Sequence, residues 1–409
     1  MRIFSFFVTS ALFCGHLLCV TMPTDLPFIV HLDADAFFVS VELALQPQYR
    51  GKKVAVGGRE RGIIASASYE ARACGVFTPM PTTRALKVCP DLILLPHVGN
   101  YGDVSRRMFD LCETITPYVQ RNSIDEGYLD LKPCGLKSVA EIERVVRGLQ
   151  KRIWDELQIP VSMGIASNKL VSQIASKLRK PRGFVVVEPG AEAVFMEPLD
   201  IGKLPGVGAK TETELQTRGV WKVRDLFTKT ERELEALLGR DWAAYLAMAR
   251  GEDDREVHTG HEDAKSYSQQ ETFAKDIGDF AEIERVAKGM IDALMPAIRA
   301  DGKRVKTMTL KVRYGDFTQE TAGRSLPESS DLEQPFYPLV PELLGKAWTQ
   351  SRALRLVSVR FSGVEDGGRQ LDLFAETDEK RRKLAAVLDQ INRDGKGLRV
   401  KHGHQLPGL

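Results

Sequence analysis

Two neighbouring acidic residues, Asp125 and Glu126, lie in the stretch SIDEGYLD at 123–130, which is otherwise rich in apolar residues. In a regular strand, adjacent side chains point to opposite faces, so these carboxylates could not serve one site. Gly127 predicts a tight hairpin turn in which both can converge. An exposed turn whose acids contact only water has the same composition, so this stretch alone leaves both alternatives open.

A second stretch, FIVHLDADAFF at 28–38, is an apolar strand that ends in acidic residues. Together the two stretches would bring Asp33, Asp125 and Glu126 to one point. Three carboxylates repel one another unless hard cations neutralise them, and all-oxygen ligands suit Mg²⁺. The residues therefore predict a magnesium site.

The composition is that of a soluble globular protein, with 409 residues, 43% hydrophobic and 27% charged. This length predicts about two to four domains. The net charge is only +2, so any nucleic-acid site must come from local clustering of basic residues. All six cysteines lie in the first third without a CxxC pair, and no HExxH occurs, which argues against zinc and for a reducing compartment.

The N-terminus conflicts with a cytoplasmic protein. Residues 3–20 are an apolar run after Arg2, similar to the central region of a signal peptide. One alternative is an exported protein with a cleaved signal. We favour Met22, just before the first core strand, as the true start, so that residues 1–21 are an upstream over-extension of the reading frame. Residues 1–27 as a whole are predicted to be a dispensable or mis-assigned N-terminal extension.

The chain changes character along its length. Strand and helix patterns alternate from 28 to 187, including a helix over 139–157 and a strand over 161–166. Short helices dominate 188–254, and 255–266 is a polar linker. A second mixed domain spans 267–363. The tail, 364–409, holds an exposed apolar peptide and a predicted helix over 377–396 with Leu384, Leu388 and Ile391 on its apolar stripe.

Two segments are candidates for contacts with nucleic acid. The glycine turn LPGVG at 204–208 opens a helix and presents backbone N–H groups to a phosphate, although two packed helices need the same glycines. Strands at 305–314 and 357–362 turn hydroxyls and cations to one face, which could equally be a solvated sheet face. The candidate nucleic-acid-binding residues are Gly206, Gly208, Lys210, Lys311, Arg313 and Arg360.

The motifs LDADAFF, SASYEARACGV, SIDEGYLD, IASNKLVSQIASKLRKPRG, LPGVG and QLDLF occur in this order between about residues 28 and 374. Together they closely resemble the Y-family translesion DNA polymerases. The resemblance implies an α+β multidomain, right-hand architecture. Its parts would be a ferredoxin-like palm (28–35 and 96–187), small fingers (36–95), a helical thumb with helix-hairpin-helix turns (188–254), the linker (255–266), an α/β little finger (267–363), and a clamp-binding peptide with a tail helix (364–409).

The resemblance also implies an activity, namely low-fidelity, template-directed addition of deoxynucleotides to a primer 3′-hydroxyl, with two Mg²⁺ and no proofreading. Asp33, Asp125 and Glu126 would be the catalytic metal ligands, with the backbone carbonyl of Ala34. Asp35 lies on the same strand face as Asp33 but is not a ligand in the family motif, so it is left as structural. Phe38 would be the steric gate against a 2′-hydroxyl. The implied nucleotide-binding residues are Ser66, Tyr69, Arg72 and Lys180.

The implied partners are primer-template DNA, a deoxynucleoside triphosphate and a sliding clamp, for a monomeric, cytoplasmic and nucleoid-associated enzyme without membrane contact. The clamp-binding residues would be Gln370, Leu371, Leu373 and Phe374. The rival interpretation is a non-catalytic scaffold of the same fold that binds DNA and clamp. Because the chain keeps all three carboxylates, we favour the enzyme.

Overall fold

The computed structural model describes residues 26–58, 61–260, 263–367, 376–393, 400 and 403, without the side chains of 376–379 and 393. The N-terminal residues 1–25 and the predicted clamp-binding peptide lie outside the described residues. Two compact units are present. The first comprises Met1–Gly57, Ile64–Met80 and Arg84–Gly260, and the second comprises Gly58–Ile63, Pro81–Thr83 and His261–Leu409. In the described part, no helix is long and apolar enough to cross a membrane.

The elements up to residue 260 alternate between strand and helix and then become helical. The strands are β1 (Ile29–Ala34), β2 (Val54–Gly57), β3 (Ile63–Ala67), β4 (Met80–Pro81), β5 (Ile93–Leu95), β6 (Val119–Arg121), β7 (Glu126–Asp130), β8 (Val161–Ala166) and β9 (Phe184–Val186). The helices are α1 (Phe37–Leu45), α2 (Tyr69–Ala73), α3 (Thr82–Val88), α4 (Tyr101–Glu113), α5 (Val139–Leu157), α6 (Lys169–Leu178), α7 (Glu192–Met196), α8 (Ala209–Thr217), α9 (Glu231–Leu238) and α10 (Trp242–Ala249).

A five-stranded sheet in the order β6-β7-β1-β8-β9 forms the centre of the first unit. The middle strand, β1, pairs antiparallel with both β7 and β8. Its alternate residues Val30 and Leu32 are fully buried in a core shared with α4 and α5. His31 and Asp33 point to the opposite face, since side chains alternate along a strand. Helix α6 covers that face, where His31 Nδ1 lies 2.8 Å from Ser176 Oγ.

The helices on both faces begin at capping residues that the sequence contains. Ser138 accepts a hydrogen bond from the backbone N–H of Glu141 (3.2 Å) and starts α5. Asn168 accepts from Val171 N (3.0 Å) and starts α6. Buried apolar residues at helical spacing then attach α5 to the sheet, as expected for an amphipathic helix.

A second sheet, in the order β4-β3-β2-β5, lies in the region predicted as fingers. Helix α1 contributes to both cores, because Phe37 and Val41 pack with the five-stranded sheet while Val39 packs with Val54 and Val56. Helices α7 to α10 share a further core with α6. The division into palm, fingers and thumb stays a prediction, since contacts divide the chain into only two units.

The segment Gly251–His258, which we call the anchored segment, is tied to the start of α6. Asn168 Nδ2 donates to Gly251 O (2.7 Å), and Leu170 N donates to Asp253 Oδ2 (2.8 Å). The ammonium group of Lys169 donates to Glu256 O (3.0 Å). The first residues of the predicted linker, 255–258, are therefore held against the first unit.

The second unit is also a sheet covered by helices. Its elements are β10 (Tyr267–Ile277), α11 (Phe280–Ala300), β11 (Lys303–Tyr314), β12 (Gln319–Ser330), α12 (Leu339–Ala347), β13 (Leu354–Asp366) and α13 (Glu376–Arg393). The sheet order is β10-β13-β11-β12. As predicted, Met308, Leu310, Val312 and Tyr314 on β11 and Val357, Val359 and Phe361 on β13 are buried in its core. The two units confirm the predicted α+β multidomain class.

The tail helix α13 packs on α11 through charged groups. The Arg299 guanidinium donates to both oxygens of Asp389 (2.7 and 2.9 Å), and Arg382 Nε donates to Asp331 (3.0 Å). The predicted apolar stripe is only partly covered, because Leu388 is half-buried whereas Leu384 is 60% exposed and Ile391 41% exposed. The helix is held by ion pairs that the spacing of its leucines does not reveal.

Candidate active site

Strands β1 and β7 place two of the three predicted carboxylates side by side. Asp33 and Glu126 are direct cross-strand partners, so their side chains project from the same face. Asp33 is buried and Glu126 is about a quarter exposed. The backbone carbonyl of Asp125 accepts from Ala34 N (2.9 Å), but its carboxylate accepts from Ser123 Oγ (2.5 Å). Among the described residues, no group of three or more His, Cys, Asp or Glu side chains is arranged to hold a metal ion.

Gly127 is not the turn that we predicted. It lies inside β7, and the connection from β6 is made by residues 122–125. A Cβ at Gly127 would lie 2.6 Å from the carbonyl oxygen of Gln120 and 2.7 Å from Phe109 Cε1. The position therefore needs glycine for close packing. Asp125 precedes β7, so the alternation of side chains between the two faces of that strand does not apply to it.

Two ammonium groups neutralise the paired carboxylates. Lys180 pairs with Asp33, and Lys177 Nζ lies 3.0 Å from Glu126 Oε2. Burial raises the pKa of the Asp33 carboxyl group despite the nearby Lys180, and the charge of Glu126 adds to that rise. Positive charge is therefore favoured at this point, and the donor set consists of oxygen atoms. The chemistry of these donors suits a hard divalent cation such as Mg²⁺, and their arrangement would do so once the Asp125 carboxylate leaves Ser123.

His31 lies directly behind the paired carboxylates and is fully buried. Ser176 Oγ donates its proton to Gln173 O (2.8 Å), so it accepts from His31 Nδ1–H. Burial and the charges of Lys177 and Lys180 lower the pKa of His31 to about 3, which keeps the ring neutral. Its Nε2 has no hydrogen-bond partner among the described residues and lies 3.8 Å from Glu126 Oε2.

Asp35 links the strand to the predicted nucleotide-binding residues. Its carboxylate is fully buried and accepts from Ser162 Oγ (2.9 and 3.0 Å) and from the backbone N–H of Arg182 (2.7 Å). Tyr69 OH lies 3.3 Å and Lys180 Nζ 3.5 Å from its Oδ1. Sequence reasoning left Asp35 as structural. The sequence feature that could have indicated a positioning role is an acidic residue that lies between two alanines, Ala34 and Ala36, directly after a buried strand.

The remaining predicted nucleotide residues lie near this cluster. Ser66 is buried and accepts from the α1 backbone at Val39 N (3.4 Å). The Arg72 guanidinium stacks over the Tyr69 ring at 4.9 Å and donates through Nε to Ala67 O (3.0 Å). Arg72 is thereby held in place before any ligand binds.

Phe38, the predicted steric gate, packs edge-on against Tyr101. The ring centroids are 4.9 Å apart at 81°. Tyr101 OH donates to the buried carboxylate of Glu42 (2.6 Å), which also accepts from Val98 N and Gly99 N. The hydrogen bonds of Glu42 therefore hold Tyr101 in place, and Tyr101 in turn fixes the ring of Phe38.

The predicted DNA-binding glycines have different roles. Gly206 has φ +89°, and a Cβ there would lie 2.7 Å from Tyr245 OH. Gly208 caps α8 with open space around it and without a side-chain cap, so backbone N–H groups face outward beside the exposed Lys210. This geometry is compatible with phosphate binding.

The predicted basic face of the second unit is formed by β11 and β13. Lys311 and Arg313 alternate with buried residues of β11, and Arg360 is exposed opposite Thr309. Lys311 lies opposite Ser358. The sheet therefore places the three predicted cations and a hydroxyl on one face.

Comparisons with known proteins agree with this architecture. Sequence profiles of the impB/mucB/samB family and of its C-terminal domain match residues 32–177 and 264–373, and a profile of the IMS family HHH motif matches 189–220. DNA polymerase IV of Opitutus terrae is 69% identical over 383 residues, which cover 93% of this chain and 98% of the relative.

Solved structures give the same result. A Y-family DNA polymerase chimera, Dbh-Dpo4(243-245)-Dbh, is similar with a TM-score of 0.74 and 26% identity, covering 83% of this chain and 99% of the chimera. An insertion ternary complex of Dbh DNA polymerase has a TM-score of 0.60 at 26% identity, with the same coverage of both chains. The resemblance inferred from the motifs is confirmed, and the chain belongs to the DNA polymerase IV group of the Y-family DNA polymerases.

Proposed function

We propose that this DNA-directed DNA polymerase performs low-fidelity translesion synthesis by a two-metal mechanism, without proofreading. The observation that carries the proposal is the cross-strand pair of Asp33 and Glu126, with Asp125 in the adjoining turn. Oxygen ligands at the ends of two paired strands are a suitable holder for Mg²⁺.

The three carboxylates would hold the cations together with the backbone carbonyl of Ala34. Asp125 must rotate away from the hydroxyl of Ser123 to take part. Two Mg²⁺ would lower the pKa of the primer 3′-hydroxyl and stabilise the pyrophosphate that leaves. The residues of the chain position the cations, the nucleotide and the primer end.

Ser66, Tyr69, Arg72 and Lys180 would bind the triphosphate. The planar fork of Arg72 suits phosphate oxygens, and its contacts with Tyr69 and Ala67 restrict its motion. Lys180 would move from Asp33 to the triphosphate, where it stabilises the charge that develops on the leaving group. Phe38, fixed against Tyr101, would exclude a 2′-hydroxyl from the sugar site.

Low fidelity follows from small side chains in the region predicted as fingers. Ala65 is exposed on β3 between Ile64 and the buried Ser66. A site lined by such residues cannot use shape to reject distorted base pairs. The phosphate-contacting residues proposed for primer-template DNA are Gly206, Gly208, Lys210, Lys311, Arg313 and Arg360.

A sliding clamp is the further partner that we propose, bound by Gln370, Leu371, Leu373 and Phe374. Burial of two leucines and a phenylalanine contributes ~5–9 kcal/mol before the ordering cost, which corresponds to at best micromolar affinity. Deletion of 370–374 should lower processivity with clamp and leave basal extension intact; loss of both would mean that the peptide is structural. We further propose a monomeric, cytoplasmic and nucleoid-associated enzyme.

Primer extension with Mg²⁺ and single nucleotides tests the active site. Asp125→Asn and Glu126→Gln should each lower kcat/KM by at least about 100-fold, because each removes charge at the transition state. Asp130→Asn, on the same strand β7 but paired with Ile29 at its far end, is the matched control. Undiminished extension by Glu126→Gln would disprove the assignment, and a wild type that binds DNA without extending it would favour the scaffold alternative.

A further inference from the structure

Glu126 is neutralised by a side chain that the polymerase mechanism above does not use. Lys177, in the last turn of α6, places its ammonium group 3.0 Å from Glu126 Oε2. Lys180 pairs in the same way with Asp33, but Lys180 already has a proposed role at the triphosphate. Lys177 has none.

The surroundings of Glu126 make Lys177 its principal source of positive charge. The other basic group near this carboxylate is His31, whose Nδ1 is the protonated nitrogen because Ser176 donates elsewhere. The unprotonated Nε2 therefore directs its lone pair towards Glu126 Oε2 at 3.8 Å. A lone pair facing a carboxylate does not stabilise its charge, so among the described ion pairs Lys177 alone compensates Glu126.

The ammonium of Lys177 can also leave. Its side chain is 45% exposed, against 21% for Lys180. It is carried on a flexible four-carbon stem at the end of a helix, next to solvent. Withdrawal of the ammonium into water therefore requires no movement of the backbone.

We infer that Lys177 is an internal counter-ion that competes with the divalent cation for Glu126 and so raises the cation concentration that the enzyme requires. The inference rests on the proposed two-metal function. The ammonium group and a divalent cation are attracted to the same negative charge and repel each other at this distance, so binding of the cation at Glu126 favours withdrawal of Lys177. Lys177 is thus a positioning residue and does not touch substrate.

The test measures Mn²⁺ binding to the full chain by electron paramagnetic resonance, without DNA or nucleotide. Lys177→Met keeps the apolar stem and removes the charge, and it should tighten Mn²⁺ binding about three- to fivefold, as expected for a half-exposed ion pair. Lys177→Arg keeps the charge, holds the carboxylate with two donors and should weaken binding. The control is Lys151→Met, which removes a comparable pair with Asp155 on the exposed face of α5.

A second readout is the melting temperature. Without metal, Lys177→Met should melt below the wild type, and Mn²⁺ should raise its melting temperature more than that of the wild type. In a Glu126→Gln background, the substitution at Lys177 should change neither value.

The outcomes separate the two proposals. Equal Mn²⁺ affinity and melting behaviour for Lys177→Met and Lys151→Met would overturn the counter-ion role while leaving the carboxylate site intact. Mn²⁺ binding and primer extension that are both unaffected by Glu126→Gln would instead overturn the proposed metal site itself.

Discussion

Gly164 sets the distance between helix α6 and the sheet that carries the carboxylates. It lies on β8 opposite His31, and a Cβ at this position would lie 2.1 Å from Ser172 O and 2.5 Å from Ser176 N. Real Cβ atoms essentially never approach closer than 3.0 Å, so Gly164→Ala must displace α6 by about 1 Å. Both contacts are to backbone, which cannot rotate aside.

We expect two measurable effects of Gly164→Ala. Overpacking should cost ~1–3 kcal/mol of folding free energy, which corresponds to a fall of about 2–10 °C in melting temperature. Displacement of Lys180, which follows α6, by about 1 Å should lower kcat/KM in primer extension by up to ~100-fold.

The matched control is Gly148→Ala, on α5 at the other side of the same sheet, where a new Cβ meets nothing within 4 Å. This exposed helical glycine should gain ~0.5–1 kcal/mol as alanine and keep full activity. If Gly164→Ala melts and extends primers like Gly148→Ala, the close approach of α6 does not position the site, and our account of the geometry is wrong.

Three other substitutions or reactions give direct checks. Asp35→Asn removes an acceptor that positions Tyr69 and Lys180, so KM for the nucleotide should rise roughly tenfold in steady-state extension while DNA affinity stays constant. An unchanged KM would mean that Asp35 has a purely structural role. Phe38→Ala should reduce discrimination against ribonucleotides at least about tenfold in single-nucleotide insertion, and equal discrimination would disprove the steric gate. Burial raises the pKa of Cys112 to about 12, so iodoacetamide at pH 8 should modify the partly exposed Cys74 and Cys134 before Cys112, which should react only in denaturant, as read by mass spectrometry. Rapid labelling of Cys112 in the native protein would contradict its burial.

Local patterns predicted the elements that position the site. The helix over Val139–Leu157 and the strand over Val161–Ala166 begin and end where expected. Both carry strong local signals, a capping serine with apolar residues at helical spacing and an uninterrupted apolar run. The alternation of Met308, Leu310 and Val312 likewise identified the buried face of β11.

Contacts between distant parts of the chain were not predictable in this way. Gly127 was predicted to be a turn because local sequence does not show the close packing that requires glycine there. That packing involves Phe109 on α4, which is 18 positions earlier in the sequence. The pairing of Lys177 with Glu126 depends on how α6 lies across the sheet. Asp35 has four donors from three segments of chain, which no single motif contains.

The anchored segment Gly251–His258 shifts the point at which the first unit can be cut. A truncated protein that stops after the last helix of that unit, at Ala249, would lose the acceptors that hold Asn168 and the Leu170 amide. Those groups fix the beginning of the helix whose other end supplies Lys177. A fragment designed for separate expression should therefore extend through His258, and the part of the predicted linker 255–266 that is not hydrogen-bonded to α6 is shorter than its polar composition suggests.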